Sequence, residues 1–178
     1  MINALPTPSE IEGAIRNVPD FPKKGIQFKD ITPLLADARL FSGSIDLMVG
    51  QFQPGMIDAV VGIDARGFIF AAAAAAKLKA GFVPIRKKGK LPYTTHEQEY
   101  DLEYGTATVA VHVDALKPGS RVLLIDDLLA TGGTAAAAAA LVQKLGAEIL
   151  EISFLLELKF LEGRKKLQGY AVRSLVTY

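Results

Sequence analysis

Short apolar runs alternate with longer segments of helical spacing along this chain. AVVGI (Ala59–Ile63), FVPIR (82–86), RVLLID (121–126) and EILEISFLL (148–156) are compact apolar runs bounded by turn residues, and they predict buried strands. TATVAVHV (106–113) alternates as a half-buried strand does, and residues 171–177 suggest a last strand after a short basic helical segment. Residues 68–80 and a segment from about Thr134 to Gly146 read as helices. Nearer the start, Ser9 is placed to cap a first helix with Ile11, Ile15 and Val18 on one face. PDFPKKG (19–25) ends that helix, a loop follows, and a second helix is expected from Asp37 to about Phe52. The polar stretch from Lys87 to about Tyr100 lacks hydrophobic periodicity and predicts a long loop or extended arm, a feature that often serves as a lid. Strands alternating with helices imply an α/β fold with a mostly parallel sheet covered on both faces. Ligands of such sheets sit beyond the carboxyl ends of the strands, where strand order switches.

Composition narrows the classes. A length of 178 residues suits a single domain, 1–178, and no internal repeat or linker divides it. Twenty Lys and Arg against 19 Asp and Glu leave a net charge of +1, so nothing overall favours a nucleic-acid partner; the one basic block is RKKGK (86–90). The absence of cysteine excludes disulfides, thiol nucleophiles and thiolate metal sites. MINALPTPSEIEGAIR has no basic segment followed by an apolar core, and no apolar run approaches the ~18 residues of a membrane span. The expectation is a soluble, cytoplasmic protein with no membrane partner.

The candidate chemistry sits in VLLIDDLLATGGT (122–134). Gly132 and Gly133 let the main chain approach a ligand, and successive amides entering a helix form a concave anion site to which the Thr131 and Thr134 hydroxyls add donors. Taken alone, the pattern serves a tight turn with a threonine cap equally well. The preceding Asp126 and Asp127 tip the balance. Carboxylates do not bind phosphate, but they accept from sugar hydroxyls and attract a hard cation such as Mg²⁺. Two acids beside an anion cradle suit a ribose phosphate.

This segment resembles the phosphoribosyl-pyrophosphate signature of the type I phosphoribosyltransferases. DFPKKGIQFKDITPLL, GIDARGF, IRKKGKLP and DLEYG resemble the adenine-using branch of that family, in register over most of the chain. The resemblance implies the type I fold, with a small N-terminal hood (about 1–35) and a flexible loop over the site (about 87–104). It implies transfer of a phosphoribosyl group to adenine, giving AMP and pyrophosphate, with Mg²⁺ as cofactor and a homodimer as the assembly. Asp126 and Asp127 would face the ribose, and Ala130, Thr131, Gly132, Gly133 and Thr134 would hold the 5′-phosphate. Asp64, Ala65 and Arg66 would form a pyrophosphate loop with a cis peptide between Asp64 and Ala65, assisted by Arg86, Lys87 and Lys90. Gln27, Phe28, Lys29 and Leu128 would surround adenine, the first and third through main chain. Glu103 would handle the purine proton. No direct protein ligand to the metal is implied; Mg²⁺ would arrive on the substrate, near Asp126 and Asp127.

Competing readings are weaker. GIDARGF offers G-x-x-x-x-G, but Phe68 and Ile69 stand where a P-loop needs Lys and Ser or Thr. His96 and His112 lie in no matched motif, and HEQE (96–99) lacks the second histidine of a zinc helix. The alanine runs at 71–76 and 135–140 read as helices with small faces pressed onto the sheet. A relative using another purine base is opposed by FPKKGIQFKD, and a DNA-binding regulator on the same fold would need a basic patch or extension.

Overall fold

The structure, a computed structural model, describes residues 4–101 and 105–178. Two compact units divide the chain, Met1–Leu47 and Met48–Tyr178.

In the N-terminal unit, helix α1 (Pro8–Gly13) is capped by Thr7 rather than Ser9. Thr7 and Glu10 have capping-box spacing: the Thr7 hydroxyl accepts from the Glu10 amide at 3.2 Å while the Glu10 carboxylate accepts from the Thr7 amide at 2.8 Å. The helix is also shorter than its apolar spacing suggests. Ile11 and Ile15 are buried, but Val18 lies in strand β1 (Arg16–Pro19), paired antiparallel with β2 (Gln27–Asp30). The expected loop is therefore a small hairpin, followed by a short helix α2 (Thr32–Ala36) that periodicity did not register. Helix α3 (Ala38–Val49) begins where Asp37 accepts from the Leu40 amide at 2.9 Å, and ends before Phe52.

The larger unit is built on strands β3 (Ala59–Ile63), β4 (Gly81–Lys87), β5 (Thr95–Asp101), β6 (Thr106–His112), β7 (Arg121–Leu129), β8 (Glu148–Glu157) and β9 (Val172–Thr177). They form one sheet in the order β5-β6-β4-β3-β7-β8-β9. The pairs among β4, β3, β7, β8 and β9 are parallel, and β6 pairs antiparallel with β4 and β5. The polar segment expected as a long loop or extended arm thus contains β5, an edge strand. Its alternation is masked because two of its inward positions, His96 and Gln98, are half-buried polar groups, while Tyr100 packs against the core.

Helices α4 (Gly67–Leu78) and α5 (Gly133–Lys144) carry the alanine runs and lie on opposite faces. Val61, Ile63, Val83, Ile85, Val122 and Leu124 point to the α5 side, where Ala135, Ala138 and Leu141 meet them. On the other face, a Cβ added to Gly62 would fall 2.7 Å from the Ala71 Cβ, so glycine and alanine let α4 approach the sheet at van der Waals contact. Two 3₁₀ segments, Lys159–Leu161 and Gly163–Leu167, precede β9. No helix among the described residues is long and apolar enough to cross a membrane.

At the amino ends of β3 and β7, Arg121 clamps Asp58. Its amide, Nε and Nη2 donate to the Asp58 carboxylate at 2.7, 3.0 and 2.9 Å, and Nη2 reaches the Gly55 carbonyl at 2.8 Å. Hydrogen bonds from Arg121 hold the Asp58 carboxyl down at about 2. A depressed folded value stabilises above the ordinary carboxylate range and loses that contribution as pH falls toward 2. Thermal unfolding of Asp58→Asn should accordingly show a lower Tm than the parent at neutral pH. The gap should narrow between about pH 4 and pH 2; a gap independent of pH would contradict the clamp.

Candidate active site

The crevice follows from strand order. β3 leads through α4 to β4 on one side, whereas its neighbour β7 leads through α5 to β8 on the other, so the two following helices leave opposite faces and their connecting turns part. A cavity of about 480 Å³ opens between those turns, lined by Ile63–Arg66, Lys87, Tyr100 and residues 126–135.

From the β3 side come Asp64, Ala65 and Arg66. The Asp64–Ala65 peptide is cis, the geometry expected for this turn. Gly67 then starts α4, and its lack of a side chain is spatial: a Cβ there would lie 2.6 Å from Asp126 Oδ1. From the β7 side come Asp126 and Asp127; the strand, expected to end at Asp126, runs on to Leu129 and holds both. Asp127 is buried, and Arg66 Nε meets its Oδ2 at 2.7 Å. Asp126 Oδ1 accepts from the Asp127 amide at 2.9 Å. Burial pushes the Asp126 carboxyl well above the usual carboxylate range, and the Asp127 charge adds to it. Burial also raises Asp127, against the opposing pull of Arg66.

The turn after β7 is a main-chain cradle. Gly132 takes φ +78°, a left-handed conformation that favours glycine, and no side chain caps the first amides of α5. Those amides and the positive end of the helix dipole face the cavity with Thr131 and Thr134 beside them, an arrangement suited to a phosphate-sized anion.

The remaining residues singled out from sequence fall in several places. Leu128, Lys87 and the run from Ala130 to Thr134 line the cavity. Arg86 instead turns toward the loop, with Nε 3.3 Å from Asp64 Oδ2 and Nη1 donating to the Lys90 carbonyl at 3.0 Å. Gln27, Phe28 and Lys29 lie on β2 of the N-terminal unit, where Phe28 stacks edge-on against Phe21 at 5.1 Å and Lys29 Nζ donates to Asn17 Oδ1 at 2.7 Å. Glu103 lies outside the described residues. Tyr100, which also lines the cavity, was missed because it sits in the strand read as a loop.

An acid whose carboxyl is raised by burial weakens the fold, since stability falls as pH rises from the unfolded pKa toward the raised folded one. Asp126→Asn keeps the shape without that penalty. We expect its Tm at neutral pH to exceed that of the parent, by about 2–4 °C for each kcal/mol relieved. The advantage should vanish below about pH 4. A Tm equal to or below the parent's at neutral pH would exclude the penalty.

Comparison with known proteins agrees with this geometry. Residues 29–176 match the family described as phosphoribosyl transferase domain. The chain is 59% identical over 162 residues to the adenine phosphoribosyltransferase of Acidothermus cellulolyticus, covering 91% of this chain and 92% of that one. The crystal structure of adenine phosphoribosyltransferase from Thermoanaerobacter pseudethanolicus superposes with a TM-score of 0.91 at 51% identity, covering 97% of this chain and 100% of that one. The Saccharomyces cerevisiae enzyme, complexed with adenine and an imino-altritol bisphosphate, gives a TM-score of 0.86 at 38% identity, with coverage of 94% and 97%.

Proposed function

The chain belongs to the phosphoribosyltransferase family, and from that premise we propose how its cavity works. It transfers the 5-phosphoribosyl group from phosphoribosyl pyrophosphate to adenine, giving AMP and pyrophosphate, a purine salvage reaction. One observation supports the division of labour best: the acid pair and the anion cradle are consecutive on β7 and α5, facing the Asp64–Arg66 turn across a single cavity.

In this reading the 5′-phosphate rests on the main chain of Ala130–Gly133 and on the Thr131 and Thr134 hydroxyls. Asp126 and Asp127 accept from the ribose 2- and 3-hydroxyls, which fixes the sugar relative to the cradle. Arg66, with the amides of Asp64 and Ala65, receives the pyrophosphate, and Lys87, Arg86 and Lys90 add positive charge around it. By the family resemblance, Phe28 and Leu128 are the residues that would flank adenine, and the main chain of Gln27 and Lys29 would read its edge. The purine N9 attacks the anomeric carbon as the bond to pyrophosphate oxygen breaks, and Glu103 accepts the proton the purine loses. Positive charge developing on the ribose is stabilised by the two acids.

Among the described residues no group of three or more carboxylates or histidines gathers to hold a metal. Asp126 and Asp127 are hard oxygen donors that suit Mg²⁺ carried into the cavity on substrate oxygens. Bound there, Mg²⁺ would supply charge to the departing pyrophosphate. A cytoplasmic homodimer belongs to the same reading.

Assays with phosphoribosyl pyrophosphate, Mg²⁺ and each purine base in turn test the reaction directly. Adenine should be preferred over hypoxanthine by roughly ten-thousandfold, because a main-chain carbonyl accepts from the 6-amino group and opposes a 6-oxo group. The Lys29 side chain is already engaged by Asn17, so Lys29→Ala should keep that selectivity even if affinity falls. Comparable efficiency with hypoxanthine would refute the adenine site, and selectivity lost in Lys29→Ala would refute the main-chain reader. Asp126→Asn and Asp127→Asn should each lower kcat on the order of a hundredfold. Turnover near that of the parent in both would remove the acids from the mechanism.

A further inference from the structure

We propose that Gly163 and Arg164, anchored by Glu157, are positioning residues that set the shape of the phosphate cradle; this rests on the reading of the turn after β7 as that cradle. The contact is main chain on main chain. A Cβ on Gly163 would fall 2.2 Å from the Ala130 carbonyl oxygen and 3.0 Å from the Gly132 nitrogen. Reciprocally, a Cβ on Gly132 would fall 2.3 Å from the Gly163 oxygen. Gly132 needs glycine for its positive φ as well, but Gly163 is not in the left-handed region, so its glycine is explained by space alone. The second face of the cradle is thus the backbone of the 3₁₀ segment Gly163–Leu167.

What holds that segment in place is the next residue. Arg164 grips the Glu157 carboxylate through Nε at 2.8 Å and Nη2 at 2.8 Å, and its Nη1 donates to the Val172 carbonyl at 3.0 Å. Ser174 Oγ donates to the same carboxylate at 2.8 Å. Glu157 is 3% exposed, and a buried carboxylate left without its forked partner is costly, so the grip is hard to release. Glu157 ends β8 directly opposite Leu129 of β7, the residue before Ala130. The amide of Leu158 also donates to the Leu129 carbonyl at 2.9 Å. A closed loop of contacts results: β7 enters the cradle, the cradle rests on Gly163, Arg164 ties Gly163 to Glu157, and Glu157 returns to β7. A cradle that binds an anion through amides is sensitive to their directions, and displacement of about 1 Å can cost on the order of a hundredfold. None of these three residues lines the cavity, so their effect must pass through the cradle.

The test separates positioning from stability, and the buttress from the cradle itself. Gly163→Ala, Arg164→Gln, Arg164→Lys and the double variant Thr131→Ala/Thr134→Ala are compared with the parent. The readouts are calorimetric titration with ribose 5-phosphate, steady-state kinetics in both substrates, and thermal unfolding. Gly163→Ala and Arg164→Gln should weaken ribose 5-phosphate binding on the order of ten- to a hundredfold and raise KM for phosphoribosyl pyrophosphate in parallel. KM for adenine should stay unchanged, kcat should fall less than the affinity, and Arg164→Lys should recover part of the loss because it keeps the charge without the fork. Parent-like ribose 5-phosphate binding in Gly163→Ala, beside weakened binding in the threonine double variant, overturns the buttress and leaves the cradle standing. Parent-like binding in both Gly163→Ala and the double variant overturns the cradle together with its buttress. Losses in kcat and both KM values that follow Tm, or loss of the folded state in both Gly163→Ala and Arg164→Lys, assign the contact to stability and overturn the proposal.

Discussion

Parallel pairing of β3 with β7 is the constraint on which the site depends. Neighbouring parallel strands present their carboxyl ends side by side, and because α4 and α5 leave on opposite faces, neither helix closes the gap between the turns. That pairing needs the two helices close to the sheet. Alanine runs on both, with Gly62 and Gly67 where α4 comes nearest, provide the approach. The same small residues that permit dense packing therefore bring Asp126 against the first turn of α4. Packing and the placing of charge are one event at this point of the fold.

The charge so placed is in conflict with its surroundings. Burial raises both acids; Arg66 lies against Asp127 at 2.7 Å, and its charge offsets the burial of Asp126 only in part. An acid kept in so desolvated a position lowers stability, a cost that a fold selected for stability alone would remove by asparagine. Its retention at a cavity is what function at the site would require.

Much of this was legible in the sequence, and the failures have physical causes. β3 was read to the residue because a fully buried strand in a parallel sheet is apolar at every position. The Asp64–Arg66 turn is legible only through the family resemblance of GIDARGF, whereas in 126–134 the paired glycines themselves mark a close approach of main chain. By contrast, β5 is masked by the polar His96 and Gln98 at inward positions. Ser9 stands before apolar residues at helical spacing, but the reciprocal Thr7–Glu10 bonds fix the helix start two residues earlier. Gly163 gave no signal at all: its glycine answers to a chain segment some thirty residues away in sequence, and no local pattern encodes a tertiary contact of that kind.

The construction of the cradle explains how acids and an anion site coexist. Had the turn held phosphate with lysine or arginine side chains, those cations would lie within reach of Asp126 and Asp127. Arg66 shows the result, since its guanidinium is already drawn onto Asp127. Amides at a helix N-terminus offer partial positive charge fixed in direction and unable to swing toward a carboxylate. On the proposed reading, main-chain binding keeps the phosphate site and the ribose site independent although they are consecutive in sequence. Independence then rests on the rigidity of the turn, because an amide cradle cannot re-aim itself as a long side chain can. A rigid turn needs support from behind, and in this protein the backbone of Gly163 lies in that position.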